Sequence, residues 1–228
     1  MPITNSTPSI EPGNYVKKVA DCHNNVGFMT TVPSTDPSKP STPGKQGKMV
    51  RGICAAQTCR WIKTSLQLGD VAAAKTLLKY EHQTAISHAA WIRSRRVKLV
   101  TLGDWMKTLT GLFDLFGLKA VYYDIGPTMY TLQKLTKAIT SGAAIAEKKA
   151  LVENKPSTHS AYCFAGLNGH ALGFKMSKSQ GNFLFEPELG LYEYDNDVNL
   201  FKSLFYYLQD GLKMDEHSWS EFAIVERE

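Results

Sequence analysis

The sequence predicts an α+β protein in which an N-terminal helical part packs on a C-terminal antiparallel β-sheet. Apolar residues recur every three or four positions from about residue 52 to residue 142, which is the helical period. Beyond residue 160 the pattern changes to short runs of aromatic and β-branched residues, which favour strands. Helices followed by consecutive strands are typical of the α+β class.

The first 48 residues are predicted to be a flexible Ser/Thr/Pro-rich segment. Seven of the ten prolines precede residue 44, and Pro33–Gly47 has almost no apolar side chain to bury. Tyr15–Thr31 could dock on the core. Residues 49–228 are predicted to form one domain, because a chain of this length buries about 70% of its unfolded surface without disulfides or a structural metal.

The helical part has stop and start signals at Gly69-Asp70 and Gly126-Pro127. Its predicted helices are Cys54–Leu68, Val71–Tyr80, Thr84–Arg93, Leu102–Phe116 and Met129–Ile139. Leu118–Tyr123 is a strand-like insert. The predicted strands that follow are Ala161–Leu167, His170–Met176, Asn182–Glu186, Leu191–Tyr194 and Phe222–Val225. An amphipathic helix, Val198–Leu212, interrupts them.

Several classes of function are disfavoured by composition. No run of 18 apolar residues is present, so we expect no membrane span, and the polar first 14 residues do not suit a classical secretion signal. The net charge of +5 is not interleaved with aromatic residues, so we expect no nucleic-acid partner. One basic cluster predicts a solvated helix end or a weak contact with an anionic membrane or acidic partner: Arg93, Arg95, Arg96 and Lys98.

We expect neither a disulfide framework nor a metal or organic cofactor. The four cysteines, Cys22, Cys54, Cys59 and Cys163, are few and irregularly spaced, which favours reduced thiols. Zinc would need Cys54 and Cys59 to point at one ion. Five helical positions rotate the second thiol by about 140° from the first, so the two cannot share it.

Cys54 opens the first predicted helix, where the helix dipole and free amide groups favour a thiolate. The alternative interpretation of Cys54 is a small buried hydrophobe. A nucleophile needs a base, and His170 is the candidate.

His170 begins a predicted β-hairpin whose polar turn is Ser177–Asn182. With that turn centred near residue 178 or 179, Glu186 falls opposite His170 or one diagonal away. Such a carboxylate would orient the imidazole while its other nitrogen takes the thiol proton. Glu188 is the rival carboxylate, but Pro187 ends regular pairing before it. A shift of the hairpin register by one residue would place Phe185, instead of Glu186, beside His170.

Three blocks of the sequence resemble the YopT/AvrPphB-type cysteine proteases, which are papain-like bacterial effectors. The blocks are Gly52-Ile53-Cys54 with Arg60-Trp61, Gly169-His170-Ala171, and Phe183-Leu184-Phe185-Glu186-Pro187 with Gly190. They occur in the family's order between Gly52 and the C-terminus. Two departures are Glu186 in place of the usual Asp, and Ala55–Cys59 in place of the usual Gly-Leu continuation.

The resemblance implies a papain-like fold and a cysteine-type endopeptidase without a cofactor. Cys54 would be the nucleophile, His170 the base and then the acid, and Glu186 the orienting group of a Cys-His-Glu triad that forms an acyl-enzyme. It also implies an oxyanion hole made by the amide of Cys54 and an upstream Gln or Asn. Gln46 is the candidate for that side chain, with three alternatives: Asn24, Asn25 and Gln57.

By the same resemblance, the protein would be a virulence effector, delivered by a dedicated bacterial secretion system into the host cell cytoplasm, where it cuts a host protein. Self-cleavage between Pro33 and Met49 would be compatible with a flexible segment. Two alternatives remain open. The same triad serves acyl transferases and deamidases, and an α+β frame also suits a non-catalytic binding module.

Overall fold

A computed structural model describes ten stretches of the chain. They are residues 17–20, 53–94, 102–127, 136–137, 139–144, 148, 160–167, 170–177, 179–208 and 219–227. Within these stretches no helix is long and apolar enough to cross a membrane.

Five α-helices have defined bounds within the described residues. They are α1 (Cys54–Leu68), α2 (Asp70–Thr76), α3 (Glu81–Ser94), α4 (Leu102–Asp114) and α5 (Asp197–Tyr206). A 3-10 turn, Leu77–Tyr80, joins α2 to α3, so the predicted helix Val71–Tyr80 divides into two elements. Gly69 separates α1 from α2 with φ 85°, which glycine adopts without strain. Of the predicted helix Met129–Ile139, residues 136, 137 and 139 are helical and the rest lie outside the described residues.

Seven strands of the described chain form one sheet. They are β1 (Lys17–Ala20), β2 (Leu118–Pro127), β3 (Ser160–Leu167), β4 (His170–Ser177), β5 (Asn182–Glu186), β6 (Gly190–Tyr194) and β7 (Trp219–Arg227). Their order is β1-β6-β5-β4-β3-β7-β2, and each neighbouring pair is antiparallel. The predicted α+β class is confirmed. The helical part also contributes a strand, because β2 lies at one edge of the sheet beside β7.

The opposite edge of the sheet is formed by part of the N-terminal segment. β1 pairs with β6, with Lys18 opposite Tyr192, and Ala20 is buried. Gly190 permits the close approach, because a Cβ at that position would lie 2.3 Å from the Ala20 carbonyl oxygen. Residues 17–20 thus belong to the sheet and lie in the range expected to dock. The rest of residues 1–48 lies outside the described residues, so the domain boundary stays a prediction.

Each face of the sheet carries an apolar layer. Side chains of α1, α2 and α4 cover one face and meet Ala171 and Phe185. The other face is covered by α5, where Leu200 packs in the same cluster as Leu172 and Phe174. Successive residues of β4 alternate between the two layers, as the pleat of a strand requires.

Helix α1 lies lengthwise along β4, and this contact positions the site. The Thr58 hydroxyl donates to the Ala171 carbonyl at 3.5 Å, and Trp61 stacks on Phe185 with ring centroids 5.0 Å apart. Gly173 lets the helix approach, because a Cβ there would lie 2.9 Å from the Trp61 ring. The N-terminus of α1 therefore meets the start of β4.

A buried ion pair joins the start of α2, just after the end of α1, to β4. The Lys175 ammonium donates to Asp70 Oδ2 at 2.7 Å, and the Tyr162 hydroxyl donates to Asp70 Oδ1 at 2.9 Å. The Trp61 indole donates to the Asp70 carbonyl at 3.3 Å. Lys175 and Asp70 are only 3% and 7% exposed. The corner between α1 and α2 is thereby tied to the middle of the sheet.

Candidate active site

Cys54 is the first residue of α1 and lies at an uncapped helix N-terminus. The preceding residue, Ile53, makes no side-chain capping hydrogen bond, and the first turn contains no acidic residue. The first hydrogen bond of the helix runs from the backbone N–H of Gln57 to the backbone carbonyl of Ile53 at 2.9 Å. The backbone N–H groups of the first turn therefore have no acceptor within the helix and lie at the positive end of its dipole. Such a site favours negative charge on the Cys54 sulfur.

Cys54 differs in position from the other thiols that the structure describes. It is 8% exposed, whereas Cys59 and Cys163 are fully buried, and all three are free. Burial raises the pKa of the Cys59 thiol well above its usual value, against a smaller opposite effect of Arg60, and burial alone does the same for Cys163. These two thiols are inert core groups at neutral pH.

His170 lies at the start of β4, between Cys54 and Glu186. Its Nε2 contacts Glu186 Oε1 in a short hydrogen bond and ion pair, and Cys54 lies near the other side of the ring. Nδ1 is thus the ring nitrogen left to face Cys54. Burial lowers the pKa of His170, but hydrogen bonds and charges of Cys54 and Glu186 outweigh burial and raise that pKa from 6.5 to about 10. The arrangement stabilises an imidazolium between two acidic groups.

The hairpin register determines which carboxylate reaches His170. Gly173 pairs with Phe185, so Glu186 lies one diagonal from His170, which is one of the two predicted registers. Glu186 is fully buried at the end of β5. Glu188 is exposed, and its backbone N–H donates to Glu186 Oε2 at 2.7 Å. The rival residue thus contributes its amide group to the carboxylate that contacts His170.

Sequence reasoning missed one residue of this site, Tyr207. It follows α5, is 1% exposed, and lies near the Glu186 carboxylate. Burial and the charges of Glu186 and Glu188 raise the pKa of Tyr207, so it remains a neutral phenol. Tyr207 falls on the apolar face of the predicted helix Val198–Leu212. That pattern indicates burial but contains no sign of the partner.

Of the four candidates for the side-chain donor of the oxyanion hole, only Gln57 is among the described residues. Gln46, Asn24 and Asn25 lie outside the described residues. Gln57 lies one turn after Cys54 on the same side of α1, and helical side chains lean toward the N-terminus. Its buried Oε1 has no hydrogen-bond partner within the described part of the chain. The Gln57 carboxamide, whose Oε1 has no partner among the described residues, thus lies one helical turn after Cys54.

Two further sequence predictions concern the basic cluster and a possible metal site. The side chains of the basic cluster, Arg93, Arg95, Arg96 and Lys98, lie outside the described residues. In the stretches that are described, no three His, Cys, Asp or Glu side chains come together as a possible metal site.

Comparisons with known proteins give similarities in structure alone. No protein-family model matches the chain, and no curated protein matches its sequence. Among solved structures, the Pseudomonas avirulence protein AvrPphB is similar with a TM-score of 0.48 and 13% identity, over 75% of this chain and 90% of that one.

PatoxP, a cysteine protease-like domain of the Photorhabdus asymbiotica toxin PaTox, is similar with a TM-score of 0.27 and 12% identity, over 82% of this chain and 83% of that one. Identities and scores at this level carry no activity from those proteins to this one. The chain resembles the AvrPphB structure, and three blocks of its sequence resemble the family that bears the same name.

Proposed function

We propose that the protein is a cysteine-type endopeptidase with Cys54, His170 and Glu186 as its catalytic triad. The observation that supports this most is the contact of His170 with the fully buried Glu186 carboxylate, on a strand whose start meets the helix N-terminus that carries Cys54. A nucleophile, a base in contact with it and a third group that orients the base are the parts that thiol catalysis needs.

The reaction begins with the thiolate–imidazolium form of the Cys54–His170 pair. The Cys54 sulfur attacks the carbonyl carbon of the scissile peptide, and the oxygen becomes an oxyanion. As the tetrahedral intermediate collapses, the C–N bond breaks and His170 gives its proton to the leaving amine. The products of this step are a free amine and a thioester between the substrate acyl group and Cys54.

Water then releases the acyl group. His170, now neutral, takes a proton from the water as it attacks the thioester carbonyl, and the C–S bond breaks to restore Cys54 and yield a carboxylic acid. Glu186 keeps its charge throughout and holds the ring nitrogen that faces it. The Cys54 amide at the helix N-terminus supplies one donor to the oxyanion, and Gln57 or Gln46 supplies the second.

The substrate in this proposal is a host protein, and the protein acts as a virulence effector delivered by a bacterial secretion system. This part of the proposal is supported by the family resemblance of the three sequence blocks. The reaction needs no metal or organic cofactor.

The first test is the rate at which iodoacetamide alkylates Cys54 as a function of pH, with peptide mapping to assign the modified thiol. We expect alkylation that stays fast well below pH 8 and slows in His170→Ala. Cys59→Ala is the matched control, because it removes a fully buried thiol of the same helix. A Cys54 reactivity that rises only near pH 8.5 and ignores His170 would overturn the proposal in favour of a binding module.

The identity of the reaction is tested by product mass. Cleavage splits a polypeptide in two, deamidation adds about 1 Da, and acyl transfer to an amine joins two molecules. Incubation of the wild-type protein and Cys54→Ala with a host cell extract, followed by mass spectrometry, separates the three. We expect new peptide termini that appear with the wild-type protein and not with Cys54→Ala.

A further inference from the structure

The carboxylate of Glu186 is held by the turn that follows it in the chain. Oε2 accepts the backbone N–H groups of Glu188 and Leu189, each at 2.7 Å, and the Leu189 N–H also closes the turn on the Glu186 carbonyl at 3.1 Å. Because both donors to Oε2 are backbone groups, the direction in which the carboxylate points depends on where the turn lies. The orientation of Glu186 toward His170 is therefore set by the turn between β5 and β6.

Strand β1 lies on the outer side of this turn. Gly190 pairs with Glu186 across β5 and β6, and on its other side the Ala20 carbonyl oxygen comes so near that a Cβ on Gly190 would lie 2.3 Å from it. Ala20 is 8% exposed and packs in the same apolar cluster as Phe185 and Leu191. Without β1, β6 would be the edge of the sheet, and Gly190 would have a neighbouring strand on one side only.

We infer that β1 is a positioning element of the triad, which fixes the β5–β6 turn and through it the Glu186 carboxylate. The inference rests on the proposed function. In this role β1 acts through the turn and not on a reacting atom, so its residues are positioning residues. The active unit then begins at residue 17 and not at residue 49, because the four residues of β1 complete the support of the site.

The way in which β1 is anchored shows how it can be released. The strand is four residues long, lies at the edge of the sheet beside β6, and has an irregular register between Lys18 and Ala20. Its anchors are the buried Ala20, the partly buried Val19, and the Lys18 ammonium, which lies 5.8 Å from the centroid of the Tyr192 ring. A carboxylate in place of the Ala20 methyl group should release β1, because an unpaired charge is not tolerated in an apolar layer.

The test is Ala20→Asp in the full chain, measured by Cys54 alkylation at pH 7 and by hydrogen–deuterium exchange. We expect faster exchange in the peptides that cover residues 17–20 and 186–191. The Cys54 alkylation rate should fall about tenfold, the equivalent of one hydrogen bond to a charged group. Ala120→Asp is the matched control, because Ala120 packs against the same apolar cluster from β2, at the opposite edge of the sheet. Its Cys54 alkylation rate should equal that of the wild-type protein.

Two further measurements separate positioning from a loss of the fold. Cys59 and Cys163 are fully buried, so both thiols stay unmodified as long as the core is folded. In a Glu186→Gln background the charge that β1 positions is absent, so the further change Ala20→Asp should cause no additional loss. If Ala20→Asp makes the two buried thiols reactive, Val19→Asp applies the same test from the neighbouring residue, which is only partly buried.

Three results would overturn the inference while the triad stands. One is a wild-type rate of Cys54 alkylation in a protein whose residues 17–20 exchange freely. The others are an equal loss in Ala120→Asp and a loss that persists in the Glu186→Gln background. Alkylation that ignores His170→Ala would instead overturn the proposed function, and the role of β1 with it.

Discussion

Glu186 and Glu188 are two positions apart, but one is fully buried beside His170 and the other is exposed. We expect Glu186→Gln to lower kcat/KM by about 100-fold or more, because an amide cannot balance the charge of the imidazolium. Glu188→Gln should stay within about twofold of wild type, because the backbone N–H that it gives to Glu186 is kept. Both variants are measured on a cleaved host protein, or by Cys54 alkylation at pH 6. Equal effects of the two changes would contradict the assignment of Glu186.

Gln57 lies one turn after Cys54 on α1, and its carboxamide nitrogen is a hydrogen-bond donor, whereas its unpaired Oε1 can only accept. If this carboxamide is the second oxyanion donor, Gln57→Ala lowers kcat by about 100-fold, the usual loss for one such donor. The rate of Cys54 alkylation should stay unchanged, because displacement of iodide forms no oxyanion. The matched variant is Gln46→Ala. A loss of kcat in Gln46→Ala alone would assign the role to Gln46.

At the scale of elements, the hairpin that carries His170 and Glu186 was predictable from the sequence. Short apolar runs end at the polar residues of the β4–β5 turn, and the turn position fixes which residues meet across the two strands. The start of α1 was equally predictable from the helical period. Cys54, His170 and Glu186 therefore follow from local patterns, since each occupies the first or last residue of its element.

The rest of the sheet was not predictable, because strand order depends on contacts distant in sequence. β1 is only four residues long, and β2 lies about 90 residues before its partner β7. Lys175 is another example: a lysine in a strand indicates an exposed position, yet its ammonium is buried on Asp70. The partner belongs to a helix corner 105 positions away. The sequence around Lys175 does not indicate that Asp70 is its partner, and the sequence around Asp70 does not indicate Lys175.

The pair Asp70–Lys175 is expected to fix how α1 lies on β4. Asp70→Leu or Lys175→Met alone should lower the free energy of unfolding by about 3 kcal/mol or more, because each leaves a buried charge without its partner. The double variant should be more stable than either single one, since it buries no charge. Urea denaturation of all four proteins measures the free energies. A double variant as unstable as the sum of the singles would show that the two residues act independently.

For the whole molecule, the charge state of the site couples catalysis to stability. His170 has a pKa near 6.5 in the unfolded chain and about 10 in the folded protein. Between these values the folded state holds a proton that the unfolded state has lost. The stabilisation from His170 is therefore complete below pH 6.5 and declines as the pH rises toward 10. The phenols of Tyr162 and Tyr207, whose pKa values burial raises, add a further loss of stability above pH 10.

The coupling predicts how the stability difference between wild type and His170→Gln depends on pH. The difference in the free energy of unfolding should be largest between about pH 6.5 and 8.5, where the proton held by the imidazolium replaces the one that the Cys54 thiolate gives up, and should shrink from about pH 8.5 to pH 10, where the unfolded thiol also ionises, by about 2 kcal/mol. Urea denaturation at six pH values in this range measures it. In a Cys54→Ala background the stability difference should disappear at a lower pH, because Cys54 supplies part of the charge that holds the proton on His170. A difference that stays constant from pH 6 to pH 10 would mean that the folded protein does not retain this proton. The Cys54–His170 pair would then not exist as a thiolate and an imidazolium, so the stability curve tests the ground state of the reaction without any substrate.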